Sequence, residues 1–187
     1  MTIRPHRWHA LLFLAISWPL SALAASTSHI SLPGGGELWL TIPAAWNEKF
    51  DSPEKNTPAG VWLTPQEGAP FHVLISPLSG TPLGAALSDE NRLRAVVTSA
   101  ARDALAKSVE MTIPIHDLTG PDAHGFYYFA TDRAPKPGEW KYLTQGMINI
   151  NAAPFAFTIL TNDGQEVVAK AALELIRNAS YHSRTTT

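Results

Sequence analysis

Two imidazoles and two carboxylates fall within nine residues of this chain, as His116-Asp117 and then Asp122-x-His124. Neutral imidazole and carboxylate are ligands for zinc, copper or nickel, so His116, Asp122 and His124 form a candidate metal set with Asp117 beside them. The strand period works against a shared site. Adjacent residues of a β-strand point to opposite faces, so His116 and Asp117 cannot easily ligate together. The same residues also make an ordinary polar hairpin turn in which Asp117 and Asp122 accept turn hydrogen bonds, and the spacing favours that reading.

Other chemistries lack their residues. There is no cysteine, which removes disulfides, thiolate metal sites, cysteine nucleophiles and a lipid-anchoring cysteine. The sequence contains neither a G-x-S-x-G elbow nor an H-E-x-x-H helix motif. Glu37, Glu139 and Glu166 are too dispersed to serve as a general acid and base pair. His72 stands between Phe71 and Val73 in a strand-like run and reads as an outward or hydrogen-bonded strand residue rather than a catalytic base. Gly34-Gly35-Gly36 would cradle a phosphate only ahead of a helix N-terminus, and a strand pattern follows instead. No catalytic residue and no cofactor are expected.

The elements that must position these side chains alternate in a simple order. Glu37 to Ile42 places Leu38, Leu40 and Ile42 on one strand face, with Trp39 on the other, and Pro43 ends the strand. Ala25 to Ser28 reads as a frayed leader before a strand at His29 to Leu32, and Asn47 to Ala59 as a polar loop. Val61 to Thr64 and Phe71 to Ser76 form a hairpin over the Pro65 to Pro70 connection. Pro77 to Leu87 is a Pro- and Gly-punctuated loop, after which Ser88 caps a helix over Asp89 to Lys107. Leu93, Val96, Val97, Ala100, Ala104 and Leu105 recur there at helical spacing.

Four more strand patterns follow, Met111 to Leu118, Gly125 to Thr131, Trp140 to Ile150 and Phe155 to Thr161, separated by short turn clusters. Phe126, Tyr127, Tyr128 and Phe129 read as a strand buried on both faces. Short links imply antiparallel neighbours. Asn162 or Asp163 then caps a last helix to Asn178, with Val167, Val168, Ala171, Ala172, Leu175 and Ile176 as its packing face. The expected fold class is α+β, an antiparallel sheet covered by helices, in a single domain over 25–180 with a disordered tail over 181–187.

Residues 1–24 have the layout of a secretory signal. Arg4 and Arg7 make a basic start, Ala10 to Leu20 is apolar apart from Ser17, and Ala22-Leu23-Ala24 places small residues before a cleavage site between Ala24 and Ala25. That apolar run is well short of the roughly 20 residues needed to span a bilayer, so no membrane span is expected in the mature chain. Losing Arg4 and Arg7 leaves 12 basic residues against 16 acidic ones, a formal charge of −4. Such a surface argues against nucleic acid as a partner. The expected location is the periplasm or the outside of the cell.

Gly36-Glu37-Leu38-Trp39-Leu40-Thr41-Ile42-Pro43-Ala44-Ala45-Trp46 resembles the opening of PsbP-like and Mog1-like domains, including exported relatives of DcrB type. In that group an amphipathic strand ends in a proline and a tryptophan follows shortly after. The late strand Phe155 to Thr161 running into a C-terminal amphipathic helix is similar too. The resemblance implies an α/β/α sandwich around an antiparallel sheet and a protein that binds or assists rather than catalyses. It brings no shared catalytic residue. The function expected is therefore non-catalytic binding of an envelope protein or a small ligand. The alternative is an exported hydrolase or metal-dependent enzyme using His116, Asp117, Asp122 and His124.

Overall fold

Strand alternation sets which residues reach the core. The computed structural model describes residues 25–32, 35–52, 59–79 and 82–183; the signal-like segment with Ala24 and the last residues, 184–187, lie outside them. In chain order the elements begin with β1 (Ala25–Ser31), β2 (Glu37–Pro43), β3 (Trp46–Asp51), β4 (Gly60–Pro65) and β5 (His72–Pro77). Two helices follow, α1 (Pro82–Ala86) and α2 (Glu90–Leu105). Then come β6 (His116–Thr119), β7 (Ala123–Thr131), β8 (Tyr142–Ile150), β9 (Ala153–Thr161), α3 (Glu166–Arg177) and β10 (Ser180–His182).

The large sheet has seven strands in the order β3-β4-β5-β9-β8-β7-β6, and a small one has the order β1-β2-β10. All named pairs are antiparallel. Two meanders, β3 to β5 and β6 to β9, join where Val73 faces Ile159. The fold is α+β, as the run of elements implies. It contains two sheets rather than one, because β2 pairs with β1 on one edge and β10 on the other and with no strand of the large sheet.

One face of the large sheet carries Phe126, Tyr128 and Ala130, packed with Leu87 and with Leu93, Val97 and Ala101 of α2. The opposite face carries Val61, Val73, Ile75, Ile148, Phe155, Phe157 and Ile159. These meet Ala172, Leu175 and Ile176 of α3 and Leu38, Leu40 and Ile42 of β2. The second outer layer is thus α3 together with the small sheet. Burying side chains such as Phe155 and Phe157, both essentially inaccessible, stabilises by about 1.5–3 kcal/mol each.

Several local expectations are corrected. Ala25 to Ser28 belongs to β1, because β2 offers its ladder groups partners there. Trp46 to Asp51 is the edge strand β3; its exposed Asn47, Glu48 and Lys49 hide the strand pattern, as polar edge strands do. Tyr181 and His182 are not tail but β10, held by the Tyr181 hydroxyl donating to the Gly35 carbonyl at 3.0 Å and by the Asn151 amide donating to the Tyr181 carbonyl at 2.8 Å. The Pro77 to Leu87 loop contains α1, and Met111 to Ile115 runs unpaired ahead of β6.

The caps also shift. Asp89, not Ser88, caps α2 by accepting from the Arg92 N–H at 2.9 Å, while the Ser88 hydroxyl donates to the Ala85 carbonyl. Gln165 precedes α3 in place of Asn162 or Asp163. Its amide carbonyl accepts from the Asn162 N–H at 2.8 Å and its NH2 donates to the Ala69 and Pro70 carbonyls, which pins the β4–β5 connection. Val167 is 78 % exposed, off the packing face, and Phe129 is 46 % exposed, so β7 is not buried on both sides along its length.

Candidate functional site

The sheet separates the two histidines of the sequence cluster. In the β6–β7 hairpin His116 pairs with Tyr127, and Thr119 with His124. Paired residues share a face, so His116 lies on the α3 side with Leu118, whereas His124 and Asp117 lie on the α2 side. His116 stacks on Tyr127 and Phe129 at centroid distances of 5.2 and 5.4 Å, and its Nε2 is buried without a partner. Asp117 meets Arg94 at 3.3 Å, and that guanidinium lies 4.8 Å over the Phe126 ring. His124 stands 3.8 Å from Glu90 and edge-on to Phe126. Asp122 is an exposed turn residue whose carbonyl accepts from the Asn151 N–H. The metal set His116, Asp122 and His124 is therefore not assembled, and among the described residues no group of three His, Asp or Glu side chains is placed to hold an ion.

A cavity of about 670 Å³ lies elsewhere, where the end of α2 meets the connection between β7 and β8. Ala104, Ala130, Leu143 and Leu160 supply its apolar lining, with Trp140 beside them. Lys107, Arg133, Lys136 and Lys141 supply its cations, and Asp132 and Glu139 its acids. The α2 side of the large sheet gives it this character. β7, β8 and β9 turn Ala130, Leu143 and Leu160 to one face, and α2 ends at Leu105 beside them.

Hydrogen bonds fix the lining. The Arg133 N–H donates to the Lys107 carbonyl at 2.9 Å, and its guanidinium donates from Nε and Nη2 to the Ser108 carbonyl at 3.0 and 2.6 Å. The Asp132 N–H donates to the Lys141 carbonyl at 2.8 Å, and Asp132 accepts from the Ala134 N–H at 2.9 Å. Gly138, at a φ of 87°, supplies the left-handed residue that turns the connection back.

Two carboxylates nearby are held ionised. Burial alone would raise the Glu110 carboxyl, but hydrogen bonds from Thr131 and from its own backbone outweigh this and hold it below its usual range. Glu110 also accepts from the Ser108 hydroxyl. Hydrogen bonds from Lys141 and the Tyr142 hydroxyl lower the Asp163 carboxyl, and the same Asp163 contact raises Lys141. Both groups are therefore carboxylates that accept hydrogen bonds beside the cavity.

Aromatic contacts extend from it. Trp140 lies 4.9 Å from His72, and His72 lies edge-on to Trp62 at 5.8 Å. The Trp62 indole N–H is buried without a partner. On the small sheet Trp39 is sandwiched by His29 at 4.2 Å and His182 at 4.1 Å, and its indole N–H donates to Glu37 at 3.2 Å.

No family model matches the chain, and no curated protein matches it in sequence. Among solved structures it is similar to LpqN of Mycobacterium tuberculosis, involved in cell envelope biogenesis, with a TM-score of 0.51 and 12 % identity over 84 % of this chain and 91 % of that one. It is also similar to cyanobacterial PsbP from Synechocystis, with a TM-score of 0.47 and 11 % identity over 90 % of this chain and 99 % of that one. The chain shares the LpqN fold. At these identities the likeness is one of architecture, and no residue of the cavity is assigned by it.

Sequence reasoning passes over the cavity, reading Arg133 to Gly138 as a turn cluster. The signal present was the charge density of that turn, with Arg133, Lys136, Glu139 and Lys141 set among Pro135, Pro137 and Gly138. Its meaning depends on α2 ending alongside, a contact between segments about 25 residues apart that no local pattern encodes.

Proposed function

We propose that the protein is a non-catalytic binding protein, exported to the periplasm or beyond, that holds a small ligand in the cavity between α2 and the β7–β8 connection. The observation that carries this is the cavity itself. Its volume of about 670 Å³ falls within the range of roughly 300–1,000 Å³ usual for small-molecule sites, and its lining combines an apolar part with fixed polar groups. Export is supported by the signal-like layout of residues 1–24. LpqN, which shares the architecture, is involved in cell envelope biogenesis, and an envelope setting suits a protein of this kind. No helix among the described residues is long and apolar enough to cross a membrane.

The test is a thermal-shift series on the purified protein with small molecules of graded polarity and charge. A ligand at a hundred times its Kd stabilises by about 2.7 kcal/mol, which moves the melting temperature by several degrees. Ala106→Phe, at an exposed lining position, should fold normally and abolish the shift. N-terminal sequencing of exported protein should read Ala25-Ser26-Thr27. Stoichiometric zinc, copper or nickel lost on His124→Ala, or turnover of a hydrolase substrate, would overturn the reading in favour of an enzyme.

A further inference from the structure

We infer that the occupant of this cavity is an organic anion with an apolar body, a carboxylate or phosphate carried on an aliphatic or aromatic group. The inference rests on the binding reading above and names its ligand class. The whole chain has 14 basic and 16 acidic residues, yet the charged residues lining the cavity are Lys107, Arg133, Lys136 and Lys141 against Asp132 and Glu139. Lys136 answers Glu139 at 3.9 Å, and Lys141 answers Asp163 at 2.7 Å. Lys107 and Arg133 form no ion pair with a carboxylate among the described residues. Asp132, the lining acid outside those two pairs, accepts from the Ala134 N–H, so Lys107 and Arg133 leave a net positive charge beside Leu143, Leu160 and Trp140, where an anion on an apolar body would satisfy both halves of the site.

Arg133 is also prepared for the task. A guanidinium has five N–H donors in a rigid fork. Two of them are spent on the Ser108 carbonyl, which fixes the plane of the guanidinium. The remaining three are free for a ligand, and because the fork is already held, little side-chain entropy is lost on binding. Glu110, bonded to the same Ser108 through its hydroxyl, is also engaged by the Thr131 N–H.

Calorimetric titration of the purified protein with decanoate, and with decanol as its uncharged counterpart, tests the class. Decanoate should bind at one site and about tenfold or more tightly than decanol, since hydrogen bonds to charged groups are the stronger ones. Lys107→Gln, at an exposed position, and Arg133→Gln should each weaken decanoate about three- to tenfold and weaken decanol by clearly less. Arg133→Lys, which keeps the charge but not the fork, should fall between. Vesicles of phosphatidylglycerol separate the sources of the anion. Vesicle binding that depends on Lys107 and Arg133 assigns a lipid headgroup, and decanoate binding without it assigns a free acid. Equal binding of decanol and decanoate, both abolished by Ala106→Phe, overturns the anion while leaving the cavity a binding site. Decanoate binding untouched by either charge removal, or no binding of decanoate or of vesicles, overturns it too. If no uncharged, cationic or anionic compound binds, the binding reading falls with it.

Discussion

Gly120 and Arg177 meet backbone to backbone: a Cβ on Gly120 would occupy the space of the Arg177 carbonyl. Gly120 sits in the β6–β7 turn, its N–H donating to the Ala123 carbonyl at 2.8 Å, and Arg177 is the last residue of α3. The hairpin therefore packs directly against the end of α3. Gly120→Ala forces backbone apart from backbone, which no rotamer change relieves. We expect a loss of about 2–3 kcal/mol, read as a lower denaturation midpoint. A midpoint equal to that of the unaltered protein would mean that α3 ends without this contact.

The β8–β9 hairpin turns on Asn151 and Ala152, with φ values of 47° and 63°. Ile150 faces Ala153 across it, so the loop has two residues and both are left-handed. Asparagine tolerates that region, and alanine does so at a cost of about 1–2 kcal/mol. Ala152→Gly removes the strain, which the added entropy of the unfolded chain only partly offsets, so stability should rise by about 0.5–1 kcal/mol. A denaturant melt checks it, and a decrease would show that the alanine methyl makes a favourable contact.

These two glycine-related positions mark what the chain reveals of itself. Strand alternation in Leu38, Leu40 and Ile42 and helical spacing in Leu93 and Val97 are local patterns, and both place their residues in the core. β3 is different. Its Asn47, Glu48 and Lys49 are exposed on an edge, so pairing with β4 makes the strand with only Trp46 and Phe50 as an apolar trace. β10 exists only because β2 leaves an open edge for Tyr181, a partner 143 positions earlier in the case of Leu38. The same non-locality hides the cavity. His116 and His124 look adjacent on paper because sequence distance ignores the sheet between them, whereas Lys107 and Arg133 look remote and are tied by a hydrogen bond.

The Lys141–Asp163 pair should leave a mark on acid stability. Hydrogen bonds from Lys141 and Tyr142 depress the Asp163 carboxyl in the folded state, so its contribution is present above the unfolded carboxylate value and lost as pH falls through the folded one. Lys141 is raised, so its share is complete below the unfolded lysine value and fades only as pH rises through the folded one. Asp163→Asn should therefore lower the melting temperature slightly at neutral pH, with the difference closing below about pH 4. Both groups face solvent, and added salt should shrink the difference as well. A difference that grew toward acid would contradict this assignment.

Trp46 stands where the chain leaves β2 through Pro43 and enters β3, and its ring packs on Phe71 at a centroid distance of 4.8 Å and an angle of 55°. It lies against the core on the α3 side, partly buried, at the edge of the large sheet away from β7 and β8. Its role is to seal the apolar rim next to Phe71, which is 3 % exposed. Trp46→Ala should cost about 2–3 kcal/mol, less than a fully buried tryptophan, and should reduce the blue-shifted share of tryptophan fluorescence. Ligand affinity at the α2 cavity should stay unchanged once corrected for the folded fraction, because neither Trp46 nor Phe71 lines that cavity. A variant that melts normally yet loses a protein partner would make Trp46 an exposed anchor, and this corner of the sheet would then be a contact surface instead of a seal.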